Sequence, residues 1–66
     1  MKNLIKVARA EINISQAELA ENLRVSRQTI NSIETGRYIP STLLALRMAR
    51  VFNKRLEDIF ILEDSD

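Results

Sequence analysis

Two helix starts stand eleven residues apart in the stretch Ser15–Gly36, SQAELAENLRVSRQTINSIETG, and two short helices around a tight turn satisfy both. Ser15 is a good N-cap, because its hydroxyl accepts from one of the backbone N–H groups that a helix start leaves unpaired. Glu18, three residues on, completes a Ser-x-x-Glu capping box, and Ile14 and Leu19 flank the cap as a hydrophobic staple. Leu19, Ala20 and Leu23 continue an apolar stripe at helical spacing. Ser26 caps the second helix, with Val25 and Ile30 as its staple pair. Thr29 stands where the capping-box acid belongs, so this start lacks the reciprocal bond. Gly36 suits the left-handed position beyond a helix end. Two such caps with only a few turn residues between them are specific for a helix-turn-helix.

The second helix has two unlike faces. Ile30 and Ile33 fall on one; Arg27, Gln28, Asn31 and Ser32 fall on the other. A helix held by an apolar back, with long hydrogen-bonding side chains in front, suits insertion into the DNA major groove. Arg27 matches guanine O6 and N7 as a double donor, and Gln28 matches adenine N6 and N7. Asn31 and Ser32 follow one turn further along. Gln16, at the start of the first helix of the pair, is placed to bond a phosphate. Ser26 and Thr29 are candidates for the DNA backbone, Thr29 also for a thymine methyl. The same polar residues would equally serve as the plain solvated face of an amphipathic helix, and the spacing leaves both readings open.

The segment SQAELAENLRVSRQTINSIETGRYIPS closely resembles the helix-turn-helix of regulators of the phage repressor and Cro type, also called xenobiotic-response-element regulators. The similarity extends to ARVFNKRLEDIF and so covers nearly the whole chain. It is carried by Ser15-Gln16, Leu19-Ala20, Val25-Ser26, Thr29-Ile30, Ile33-Glu34, Gly36 and Pro40 at their spacings. The resemblance implies an all-α, compact five-helix, lambda-repressor-like domain whose third helix reads DNA. It also implies that Arg9 pairs with Glu34, which otherwise sets a carboxylate against the helix dipole at the wrong end; without that pairing the two are independent surface charges. Arg37 follows Gly36 directly, and the resemblance supports a contact from it to a backbone phosphate. Arg24 departs from the family, which places Gly in this turn. A non-Gly residue in the left-handed region costs about 1 kcal/mol, so either the turn bears that strain or its geometry differs.

The flanks predict three more helices. Helix 1 spans 2–11 with a stripe of Leu4, Val7, Ala8 and Glu11-Ile12, stopped by Asn13 in the left-handed conformation. Pro40 bars a helix interior, and Ser41 caps helix 4, which runs to about Phe52 with Leu44, Ala45, Met48, Ala49 and Phe52 buried. Leu43 falls outside that stripe, and Asn53 stops the helix. Helix 5 runs from Leu56 to about Ile61 and turns Leu56, Ile59 and Phe60 onto the core. Its start is poorly capped, since Arg55 stands where Ser or Thr belongs; Glu57 and Asp58 in the first turn compensate in part. Ile61 and Leu62 are left over. A chain of this size buries only about 60% of its unfolded surface, so Ile61 and Leu62, with Leu43, are candidate anchors of a homodimer.

At 66 residues the chain reads as one domain, 1–66. With no Cys and no His it has no disulfide, no thiolate or imidazole metal site and no His-based catalysis, and its one glycine excludes a glycine-rich phosphate loop. An enzyme, a cofactor and a small-molecule ligand are therefore not expected. The apolar run Ile59–Leu62 is too short for a membrane span, and MKNLIKVARAE lacks the apolar core of a signal peptide, so a cytoplasmic protein is expected. The net charge of +1 conceals an asymmetry: 1–55 hold ten basic residues against four acids, while 56–66 hold five acids and no base. A basic body fits a polyanion if the acidic tail points away from it; ordinary solvated charge is the other reading. Together these features predict a sequence-specific double-stranded DNA-binding transcriptional regulator, a repressor that binds an inverted-repeat operator as a homodimer. The alternative is an antitoxin or protein-interaction module on the same fold.

Overall fold

The computed structural model describes residues 1–66. Strand β1 (Lys2–Asn3) precedes helices α1 (Ile5–Glu11), α2 (Gln16–Leu23), α3 (Arg27–Glu34) and α4 (Thr42–Phe52); a 3₁₀ turn (Leu56–Asp58) and strand β2 (Phe60–Ile61) close the chain. Each serine cap is in place. The hydroxyls of Ser15, Ser26 and Ser41 accept from the N–H groups of Glu18, Thr29 and Leu44 at 3.0, 3.0 and 3.2 Å. The Ser15 N–H in turn donates to Glu18 Oε1 at 3.0 Å, which completes the capping box.

The helix ends use left-handed residues. Asn13, Arg24 and Asn53 have φ of 55°, 57° and 53°, and Gly36 has 81°. Arg24 therefore adopts the conformation that glycine would take without strain, and the turn bears the cost. The N–H groups of Arg24 and Val25 close the end of α2 on Glu21 O and Ala20 O at 3.2 and 3.0 Å, which holds that conformation. Gly36 sits in a Schellman arrangement: its N–H donates to Ile33 O at 3.1 Å and that of Arg37 to Ser32 O at 2.9 Å. The end of α3 is thus hydrogen-bonded and fixed.

Both flanks differ from the five-helix expectation: the fold has four α-helices. Helix 1 starts at Ile5, because Lys2 and Asn3 pair antiparallel with Ile61 and Phe60. Its buried residues are Ile5 and Ala8, while Leu4, Val7 and Ile12 are 41%, 52% and 44% exposed. The fifth helix is one 3₁₀ turn followed by β2. Arg55 provides no side-chain cap, and the backbone beyond Asp58 finds its partners in β1 and in Leu4, whose N–H donates to Ile59 O at 2.7 Å. Ile59 still reaches the core, but Leu56 and Phe60 are only half-buried, as is Ala49 on α4. One apolar cluster, built around Ile5, Leu19, Leu23, Ile30, Ile33, Met48 and Ile59, joins all four helices to the chain end.

Candidate nucleic-acid interface

α3 lies with Ile30 and Ile33 fully inside and with Arg27, Gln28 and Asn31 exposed. The exposed side has two shallow flanks. Gln16, Arg27, Gln28 and Asn31 line a polar cleft between α2 and α3. Ser26, Gln28, Thr29, Ser32 and Tyr38 line a depression on the other side. Gln28 borders both and so stands on the crest of the helix. Ser32 is half-buried, and its carbonyl accepts from the N–H groups of Arg37 and Tyr38 at 2.9 and 3.2 Å. It lies lower on the face than the other three residues expected to read bases.

The start of α3 carries a hydroxyl pair. Ser26 Oγ and Thr29 Oγ1 are 2.8 Å apart, so one hydroxyl hydrogen lies between them and the other is free to reach an anion. The Thr29 hydroxyl meets the Ser26 hydroxyl and not the Ser26 N–H, so the reciprocal bond of a capping box is absent here. Arg37 is exposed beside the end of α3 and enters no ion pair.

The far end of α3 is clamped to α1. Arg9 Nε donates to Glu34 Oε2 at 2.7 Å and Arg9 Nη2 to Glu34 Oε1 at 3.1 Å, a bidentate pair. Arg9 Nη1 adds a bond to Ile14 O at 3.0 Å. Both side chains are largely buried, and the hydrogen bonds that Arg9 donates to Glu34 hold its guanidinium protonated even more firmly than usual. Gln16 joins this group. Its Nε2 donates to Glu34 Oε1 and to Asn31 Oδ1, each at 3.3 Å. Both contacts are long and the one to Asn31 is exposed to solvent; the first-turn backbone N–H groups of α2 are further donors for a phosphate.

The helix-turn-helix family model matches residues 5–59, which takes in all four helices and the buried Ile59. The chain belongs to the helix-turn-helix family of transcriptional regulators. An uncharacterized HTH-type transcriptional regulator of Methanocaldococcus jannaschii is 52% identical over 66 residues, 100% of both chains. The uncharacterized HTH-type transcriptional regulator YgzD of Bacillus subtilis is 46% identical over 66 residues, again 100% of both. The ImmF control region 10 kDa protein of Bacillus phage phi105 is 44% identical over 50 residues, 76% of this chain and 56% of the phage protein.

This helix-turn-helix domain holds α3 with a residue that the sequence pattern does not single out. Asn3 Nδ2 donates to Ile33 O at 2.9 Å, and Asn3 Oδ1 accepts the Ile5 N–H at 3.3 Å. One side chain thereby starts α1 and caps the last turn of α3. Asn is a favoured cap residue, but reading helix 1 from Lys2 hid that signal. Tyr38 flanks the exposed face of α3 and also borders a small groove with Asn3, Ile33, Pro40 and Phe60. In the acidic tail, Glu63 and Asp66 lie 3.3 and 3.0 Å from the Met1 ammonium, whose pKa is raised by its hydrogen bond to Asp66. No helix is long and apolar enough to cross a membrane.

Proposed function

We propose that this helix-turn-helix regulator binds double-stranded DNA in a sequence-specific manner through α3, as a cytoplasmic repressor acting as a homodimer on an inverted-repeat operator. The observation that carries this is the crest of α3: Arg27, Gln28 and Asn31 stand exposed on a helix whose back is buried and whose end is fixed by Arg9 and Asn3. Arg27 and Gln28 belong to the first turn, which enters a major groove first. Ser26, Thr29, Arg37 and the start of α2 lie around them as backbone contacts, which set register while the crest reads bases. The control-region name of the phage relative supports the regulatory part of this reading.

Binding-site selection is the experiment. Gln28→Ala should lose specificity at one base pair per half-site, a loss of about 1–3 kcal/mol of discrimination, with nonspecific affinity nearly intact. Arg27→Ala should lose both, since Arg also supplies charge. If Gln28→Ala selects the wild-type site with wild-type stringency, α3 does not read bases.

Salt dependence tests the electrostatic part. Arg24, Arg27, Arg37, Arg47 and Arg50, with Lys2 and Lys6, enter no ion pair within the protein. Affinity should fall steeply as salt rises, through counterion release. Arg37→Ala should weaken binding to all sequences alike and reduce the slope of log affinity against log salt by about one. A flat salt dependence would contradict the proposal.

A further inference from the structure

The side-chain bonds that meet at Glu34 run in one direction and end on the reading face. Both Glu34 oxygens accept from Arg9, and Arg9 is always a cation, so Glu34 is a carboxylate and accepts only. Gln16 lies 3.3 Å from Glu34 Oε1. It must present Nε2 there, because its carbonyl would set lone pairs against lone pairs. The same Nε2 lies 3.3 Å from Asn31 Oδ1, within reach of its second hydrogen. The oxygen and nitrogen ends of an Asn amide are nearly alike in shape, and the hydrogen-bond network alone decides between them. For Asn31 this network is anchored on a charge. Its oxygen faces Gln16, and its Nδ2, which donates to nothing in the protein, is turned away from Gln16 on the exposed side of α3.

We infer that Gln16 sets the orientation of Asn31, and with it the base that Asn31 reads. This rests on α3 being the reading helix. Nδ2 is a pure donor, so Asn31 requires an acceptor edge in the major groove. Guanine offers two acceptors, N7 and O6, and is the best match; cytosine presents an amino donor and is rejected. Gln16 is thus a positioning residue for base choice, and the Arg9–Glu34 pair is the fixed charge from which the orientation is propagated.

Binding-site selection with the full chain tests this, using wild type, Asn31→Ala and Gln16→Met. Asn31→Ala identifies the base pair concerned as the one whose preference it erases. At that pair the wild type should favour guanine over cytosine by about tenfold or more, as for one good base contact. Gln16→Met keeps a helix-forming side chain but removes the donor, so Asn31 is free to flip. Guanine and cytosine should then be selected equally at that pair, with selection under Arg27 and Gln28 unchanged. A merely loosened α2–α3 contact would relax all positions together. A wild type that favours cytosine there overturns the inference, and so does a Gln16→Met protein that still discriminates. Asn31→Ala selecting the wild-type site overturns it as well, while DNA reading by α3 stands. A wild type that enriches no sequence removes the DNA reading itself. The wild-type preference at the mapped pair decides even if Gln16→Met melts early, which circular dichroism would reveal.

Discussion

Ile30→Asp is expected to abolish the fold. Ile30 is fully buried on the back of α3, within the cluster that holds the helices together. Removing the aliphatic side chain from such a site costs about 2–5 kcal/mol, and an unpaired carboxylate in its place adds several kcal/mol of lost hydration. A domain of this size holds only about 3–10 kcal/mol in total, at roughly 0.05–0.15 kcal/mol per residue. The loss matches or exceeds the whole margin. Far-UV circular dichroism should show the helical signal gone at room temperature, and DNA affinity gone with it. Ile30→Val, at about 0.5–1.5 kcal/mol, should remain folded with a lowered melting temperature. A cooperative thermal transition for Ile30→Asp near that of the wild type would contradict the placement of α3 described here.

The second large effect concerns the proposed dimer. Ile61, Leu62 and Leu43 are 39%, 79% and 68% exposed, large apolar side chains that a monomer leaves in water. Ile61→Asp combined with Leu62→Asp should leave the monomer folded, because Ile61 pairs with Lys2 through its backbone and substitutions at exposed positions usually change stability little. The same pair of charges should prevent self-association. Two reading helices related by a two-fold axis must lie roughly 34 Å apart to meet successive major grooves, and linking two half-site contacts raises affinity by about 10²–10⁴. Operator affinity of the double variant should fall by that factor, while its salt dependence on nonspecific DNA stays close to the wild type. Sedimentation at micromolar concentration should give a dimer for the wild type and a monomer for the variant. Two monomers would remove these residues from the interface. Leu46, 51% exposed one turn beyond Leu43 on α4, is a further candidate that the buried-stripe reading of that helix overlooked.

The local signals of the chain were sufficient wherever a structural decision is itself local. Ser15, Ser26 and Ser41 each close a bond three residues away. Asn13, Asn53 and Gly36 stop helices by their tolerance of positive φ. The apolar periodicity of α2, α3 and α4 placed their buried faces, because a helical period maps sequence onto one side of a cylinder. Even Arg24, which breaks the family pattern, bends as the glycine would, since its neighbours close the turn around it.

Tertiary structure decided what depends on partners far away in sequence. Lys2 and Asn3 show no strand pattern of their own; they are a strand because Phe60 and Ile61 lie beside them with unpaired backbone groups. The same pairing shortened helix 1, moved its buried residue from Leu4 to Ile5, and left the poorly capped fifth helix as a single 3₁₀ turn. The exposed face of α3 divides in the same way. Which residues stand on it was legible from their spacing, because that spacing needs only the helix itself. The amide orientation of Gln16 and Asn31 was not, since it follows from a carboxylate on α3 held by an arginine on α1, and no local period records which end of an amide meets a charge.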